Sequence, residues 1–466
     1  MPSNHVDSDC RMSLSSSSSS ATSTQSKNDL VNGSTPKCPV VPVTVKMKKT
    51  SPSDDGSETS LFQRTPSAHS LPLQVTNGPS LYEKTLHSLA NDIHFQKEVA
   101  LGKRIGFYRL GKELGCGNFS KVRLGVHVLT KEKVAVKIME KSKMDQKAQR
   151  LLAREINSME QTHHPNIIRL FECVETLSKT YLIMEYAGGG ELYTYIHENG
   201  KLTETVAKSL LAQVISAVGH LHSKGIVHRD IKAENVIFAH QGWVKLADFG
   251  FSCVCKENAM LQTFCGSPPS AAPELFKDQN YNGQAVDCWA IGVLMYFMLV
   301  GITPFKGENV QELKKCILEG RYIIPGYISD YGQNLIKRML EVDVSKRATI
   351  AELKKMLWLK DTKFTDSYMQ FSVTPNEKEL ESNPLEQSVW TKLNEYGITI
   401  DMIKEAMGKG ARNAVVGTYR IVLYQHQAND LDNERVKVNG HLIEMAERNK
   451  LAQQRLNSQS KACSIM

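Results

Sequence analysis

His228-Arg229-Asp230-Ile231-Lys232-Ala233-Glu234-Asn235 sets a carboxylate, an ammonium and an amide within six residues of one loop. Asp230 can accept a proton from a hydroxyl group held within hydrogen-bond reach. Lys232 can neutralise charge on a phosphoryl group in transit. Asn235 offers an oxygen ligand of the kind magnesium prefers. A strand-like Val244-Lys245-Leu246 then leads into Asp248-Phe249-Gly250, where Asp248 supplies a second metal-binding side chain. Either segment alone reads as an ordinary turn. In this order and spacing they point to phosphoryl-transfer chemistry.

Working back along the chain, Gly115-Cys116-Gly117-Asn118-Phe119-Ser120-Lys121-Val122 lies between two strand-like runs. Glycines let a backbone approach a phosphate and present N–H groups to it. A glycine pair in a hairpin is a weak signal by itself, and Ser120 stands where a third glycine usually follows. Val134-Ala135-Val136-Lys137 comes next at strand spacing. A lysine in an apolar strand is costly to bury unless paired. Glu155, on the following amphipathic stretch, is an available partner; otherwise Lys137 is a surface lysine.

The apolar spacing gives the architecture. Val122, Leu124 and Val126, then Val134, Val136 and Ile138, alternate as strands do. Gln149 to Gln161 reads as an amphipathic helix, and strands resume near Tyr181 to Glu185. After Leu202 the spacing turns helical through Leu210, Leu211, Val214, Ile215 and Val218. A strand-rich small lobe followed by a helical large lobe is an α+β, two-lobed arrangement.

Composition sets outer limits. The 466 residues are 41% hydrophobic and 23% charged, with a net charge of +8, modest for this length and no pointer to nucleic acid. No apolar run approaches the roughly 18 residues a membrane span needs. The ten cysteines show no paired metal spacing, and Cys253 and Cys255 are too close together for a zinc knuckle. Residues 1–80 contain the run Ser15 to Ser20 and read as a disordered arm. Residues 81–107 are an N-terminal lead-in, 108–358 the catalytic unit and 359–384 a polar linker. Residues 385–427 carry a compact three-helix pattern with Gly397 and Gly408 between its pieces. Residues 428–466 form a polar tail.

Taken together, the segments from Gly115 to Gly250 resemble the protein-kinase signature set, in the same order. Ala272-Pro273-Glu274, Asp287-Cys288-Trp289 and Arg347 resemble its later landmarks, Arg347 being placed to pair with Glu274. The resemblance implies a bilobal kinase fold with ATP and magnesium between the lobes. It implies catalysis by Asp230, Lys232 and Asn235, with metal on Asn235 and Asp248. It implies an ATP site of Leu114, Gly115, Gly117, Ser120, Val122, Ala135, Lys137, Glu155 and Met184, closed by the hinge residues Glu185 and Ala187. Lys232 gives the loop its serine/threonine form.

Leu261-Gln262-Thr263-Phe264-Cys265-Gly266-Ser267-Pro268 closely resembles the activation loop of the AMP-activated kinase family. Glu185 to Leu192, His228 to Val236 and Ala100 to Tyr108 resemble one branch of that family. The resemblance places an activating phosphate, from an upstream kinase, on Thr263, with Arg229 as its partner. It places Glu191, Glu234 and Ser267 against a protein substrate with a basic residue upstream of its Ser or Thr. Ser270 departs from the family, which usually has tyrosine there. Residues 385–427 resemble the ubiquitin-associated-like (UBA-like) module that follows such kinase domains and docks on them. Cys463-Ser464-Ile465-Met466 fits a prenylation box, implying weak membrane contact for a cytoplasmic protein. The rival expectations are a pseudokinase scaffold and a membrane-tethered adaptor.

Overall fold

The computed structural model describes residues 78–117, 120–255, 260–263, 265–277, 280–368, 382–406 and 408–428. The prenylation box at Cys463 and nearly all of the serine-rich arm lie outside them.

Six antiparallel strands form the small-lobe sheet: β1 (Arg104–Ile105), β2 (Tyr108–Cys116), β3 (Ser120–His127), β4 (Lys133–Glu140), β5 (Leu170–Glu175) and β6 (Lys179–Glu185). Their spatial order is β1-β2-β3-β4-β6-β5. Alternation sorts the faces of β4: Val134 and Val136 are buried to the rear, while Ala135 and Lys137 face the other way. Two helices precede the sheet, α1 (Leu81–Asn91) and α2 (Ile93–Ala100). The next, α3 (Gln146–Glu160), begins three residues before the apolar spacing does, because the Asp145 side chain accepts from Ala148 N and caps it. Its inner face buries Glu155, Ile156 and Met159.

The large lobe runs α4 (Leu192–Asn199), α5 (Glu204–Ser223), β7 (Ile226–Val227), β8 (Val236–His240), β9 (Trp243–Leu246), β10 (Cys253–Val254), β11 (Met260–Leu261), α6 (Glu274–Lys277), β12 (Tyr281–Asn282), α7 (Gly283–Val300), α8 (Val310–Glu319), α9 (Asp330–Met339) and α10 (Ile350–Leu353). Asn282 caps α7 through Ala285 N, and Gly301, in the left-handed region, ends it. This helix corrects one expectation. It is 18 residues long and apolar enough to cross a membrane, and 83% of it is buried inside the protein. Its apolar surface is covered by α5 and α9, so it reads as the central helix of the lobe.

Beyond the large lobe the chain does not swing free at once, as a polar linker suggests. Thr365 N donates to Ser216 Oγ (3.0 Å), His164 Nε2 lies 3.3 Å from Thr365 O, and His220 Nδ1 lies 2.8 Å from Ser367 Oγ. Then come α11 (Pro384–Tyr396), α12 (Ile400–Ala406) and α13 (414–428). Gly397 and Gly408 take φ near +83° and +84° at the breaks between them, a conformation open to glycine at little cost.

These three helices and the lead-in share one core with the back of the small lobe. Tyr82, Phe107, Tyr108 and Phe171 pack with Val389, Trp390, Leu393, Tyr419 and Val422. Polar contacts ring that core. Ala411 N donates to Glu160 Oε1 (2.5 Å), Arg412 pairs with Glu175 (3.1 Å), and Gln425 Nε2 donates to Glu132 Oε2 (2.7 Å). Glu160 is the last residue of α3, so the C-terminal helices hold the end of the helix that carries Glu155.

Candidate active site

Between the lobes the sheet and the large-lobe loops bring the polar residues together. Lys137 Nζ, projecting from β4, donates to Glu155 Oε1 on α3 (2.6 Å) and lies 3.5 Å from Asp248 Oδ1. Burial works against a charged Lys137, yet Glu155 and Asp248 outweigh it and raise the ammonium above its ordinary value. Burial likewise pushes the Asp248 carboxyl up; Lys137 and the Gly250 N–H overcome this and hold it below the usual carboxylate range. Asp248 is therefore ionised at neutral pH.

Asp230 is almost fully buried and ringed by donors. Asn235 Nδ2 donates to its backbone O (2.8 Å) and to Oδ2 (3.0 Å), and Lys232 Nζ sits 2.9 Å from Oδ2. Ser267 donates to Oδ1 from both N (3.0 Å) and Oγ (2.8 Å), and Lys232 Nζ donates to Ser267 Oγ (2.7 Å). Because the Asn235 amide nitrogen is spent on Asp230, its carbonyl oxygen is the atom left for a cation. That oxygen and the ionised Asp248 carboxylate are hard donors that fit magnesium.

Two residues of this loop system, Arg229 and Asp248, take φ of +66° and +61°. Non-glycine residues there cost on the order of 1–3 kcal/mol each and persist only when the surroundings hold them. For Arg229 the holder is Asp287 at the start of α7, which accepts from His228 N (2.9 Å) and Arg229 N (2.8 Å). His222 Nε2 contacts the same carboxylate at 2.9 Å. Burial opposes the charge on Asp287, and the bond to His222 with the surrounding donors keeps its pKa low. Further out, Arg347 makes a buried two-point pair with Glu274 (2.6 and 2.9 Å), the partner the sequence suggests.

The protein-kinase domain model matches residues 108–359. The chain belongs to the protein kinase family. It is also 44% identical over 275 residues to the probable serine/threonine-protein kinase MARK-A of Dictyostelium discoideum, covering 59% of this chain and 26% of that protein. The chain thus spans about a quarter of the length of this curated relative. A MARK-type likeness agrees with the AMP-activated-kinase resemblance of Leu261–Pro268.

Within the kinase domain the remaining candidates fall into three groups. Ala135 pairs across the sheet with Met184, and Val122 with Lys137, which puts all four in one layer behind the glycine hairpin of Leu114, Gly115, Gly117 and Ser120. At the hinge, beside Ala187, Glu185 turns its buried side chain away from that layer, to Lys245 Nζ at 2.6 Å. Whatever Glu185 offers a nucleotide comes from its backbone. Glu191, at the start of α4, and Glu234, in the turn Ala233–Asn235 packed against α4, are both exposed. Ser267 reaches Asp230 and Lys232 directly.

Thr263 is tied to Arg229 through a residue that sequence reading passes over. Arg229 Nη1 donates to Tyr281 Oη (3.3 Å), and Tyr281 Oη donates to Thr263 O (2.6 Å). Tyr281 opens the two-residue strand β12 in an unremarkable Asn-Tyr-Asn stretch, and nothing local marks it. Ser270 lines a small cavity below the catalytic loop with Asp230, Ser267, Ala271, Leu275 and Val286.

Proposed function

We propose that this chain is a serine/threonine protein kinase that transfers the γ-phosphoryl group of ATP to hydroxyls of protein substrates. The observation that carries this reading is the double clamp on either side of the cleft. Lys137 is held between Glu155 and Asp248, and Asp230 is held by Lys232, Asn235 and Ser267. Lys137 orients the α- and β-phosphates. Asp230 receives the proton of the attacking hydroxyl on its carboxylate, and Lys232 faces the charge that builds on the transferring group. Asp248 and Asn235 would hold magnesium, which when bound neutralises phosphate charge. The work of the protein is positioning and electrostatics.

An upstream kinase phosphorylates Thr263, and the added charge of roughly −1.5 to −2 is drawn to Arg229. Glu191 and Glu234 receive a basic residue ahead of the acceptor Ser or Thr. The three C-terminal helices are a UBA-like module that steadies α3 from behind. The protein works in the cytoplasm and touches membranes weakly through a farnesylated Cys463; fractionation of wild type and Cys463→Ser tests that.

The deciding experiment measures transfer from labelled ATP to a basic serine peptide, before and after treatment with an upstream kinase. Asp230→Asn should lower the rate by about 10²–10⁴-fold. Thr263→Ala should abolish the gain from the upstream kinase. A wild type no faster than Asp230→Asn after that treatment overturns the enzyme reading in favour of a scaffold.

A further inference from the structure

We propose that Cys253 and Cys255 form an oxidisable dithiol on the activation segment, and that a hydroperoxide closes it to a disulfide that slows catalysis. The two sulfurs lie 3.2 Å apart, both thiols free. Residues two apart in an extended strand share a face, and this puts both side chains on the same side of β10. Their exposures differ in the sense a two-thiol site needs: Cys253 is buried and Cys255 is half-exposed. The Cys253 thiol, hydrogen-bonded to it, holds the Cys255 thiol below its ordinary range, to about 7; burial opposes this and Arg229 assists. A thiolate on the accessible sulfur is the nucleophile that oxidation requires.

The step balances. The Cys255 thiolate attacks one peroxide oxygen, the O–O bond breaks, and hydroxide or alkoxide leaves, giving a sulfenic acid. Cys253 then attacks that sulfur; the S–S bond forms, the S–O bond breaks and water leaves. Two thiols are oxidised by two electrons and one peroxide is reduced.

Closure strains a short anchor. β10 pairs with β7 through only Cys253↔Val227 and Val254↔Ile226, and Cys255 N donates to Gly225 O (2.6 Å). Residues two apart in a strand are separated by about 6.5 Å, near the long end of the roughly 4.4–6.8 Å that a disulfide accepts. The ring therefore pulls the strand short. Two residues upstream, Phe251 O accepts from Arg229 Nε (2.7 Å), so the distortion reaches the residue beside Asp230 that links to Thr263.

Both cysteines fall in one tryptic peptide, Leu246 to Lys256. The full-length chain is treated with graded hydrogen peroxide, alkylated, digested and weighed, and peptide phosphorylation is assayed in parallel. The expected result is a peptide two hydrogens lighter and resistant to alkylation, a several-fold slower transfer, and recovery of both after reduction. Cys255→Ser, checked by its melting temperature, should show neither change. Cys253→Ser should carry higher sulfur oxides on Cys255 that reduction does not reverse. The proposal is overturned if the pair stays alkylatable at peroxide levels that oxidise the exposed Cys116, if Cys255 links to Cys265 instead, or if the disulfide forms with no change in rate. The switch rests on the kinase reading, but the peptide mass does not, so failure of one is distinguishable from failure of the other.

Discussion

The front and the back of the small lobe are built from opposite materials. The front, facing the cleft, is held by charged contacts from one side chain: Lys137 on β4 reaches Glu155 on α3 and Asp248 of the large lobe. The back is a largely apolar seam where the lead-in and the C-terminal helices bury Tyr82, Trp390, Leu393 and Tyr419 against Phe107 and Phe171. Charge fixes a few atoms at high precision and contributes little net stability. Apolar burial contributes most of the stability and tolerates imprecision. The two faces of one sheet therefore separate chemistry from cohesion.

Substitutions on each side test that separation. The largest effect on folding is expected from Trp390→Ala, which empties a buried aromatic site and should cost about 3–5 kcal/mol. Chemical denaturation measures it, and the transfer rate well below the melting point should fall far less than the stability does. Lys137→Met should do the reverse, lowering transfer at least about a hundredfold, or about 2.7 kcal/mol, through loss of phosphate positioning. Its thermal midpoint should move less than that of Trp390→Ala. If both variants lose stability and rate in proportion, the two faces are one cooperative unit and the comparison fails.

A smaller effect is expected where the seam hides a carboxyl. Glu172 accepts from Tyr108 Oη (2.6 Å), and burial pushes its pKa from the ordinary 4.5 up to about 7. Below 4.5 the group is protonated folded or unfolded. As pH rises from there to about 7, the unfolded chain ionises first, so the folded state loses stability across that window. Glu172→Gln should flatten this part of a melting-temperature profile. An unchanged slope would mean the carboxyl is already ionised in the fold. The smallest effect is expected from Ser270→Tyr, which places an aromatic ring at the edge of the small cavity below the catalytic loop. It should change the preference for the residue after the phosphoacceptor a few-fold in a peptide library, and leave ATP affinity alone.

What the sequence disclosed follows the same division. The cleft is legible because its chemistry demands particular side chains at short spacings: Asp230, Lys232 and Asn235 lie in one loop, and Asp248 follows one hairpin later. Glu155 and Arg347 are readable as partners because a buried charge needs one. The seam is not legible in that way. Apolar periodicity reveals helices near 390, 403 and 416, but Trp390 sharing a core with Tyr82 and Phe107 joins distant segments, and any apolar face would satisfy the pattern. Tyr281 escapes for a different reason: its role depends on a hydroxyl placed by β12, between Arg229 and Thr263. The apolar length of α7 is missed by counting uninterrupted apolar runs, because Asp287 and small residues break the run, and only its burial shows it to be a central helix.

Arg169 gives the division a bridge. Its backbone exchanges contacts with the hinge: Glu185 N donates to Arg169 O (2.9 Å), and Arg169 N donates to Glu185 Oε2 (3.3 Å). Its guanidinium lies over Tyr368 and Tyr424 and donates to Gln427 Oε1 (2.8 Å) near the end of α13. One residue thus contacts both Glu185, of the proposed hinge, and the last helix. Thermodynamic reciprocity then applies: by whatever factor docking of α13 alters nucleotide affinity, a bound nucleotide alters docking of α13 by the same factor. Coupling of either sign would then be detectable as a change in amide exchange in a helix the ligand never touches.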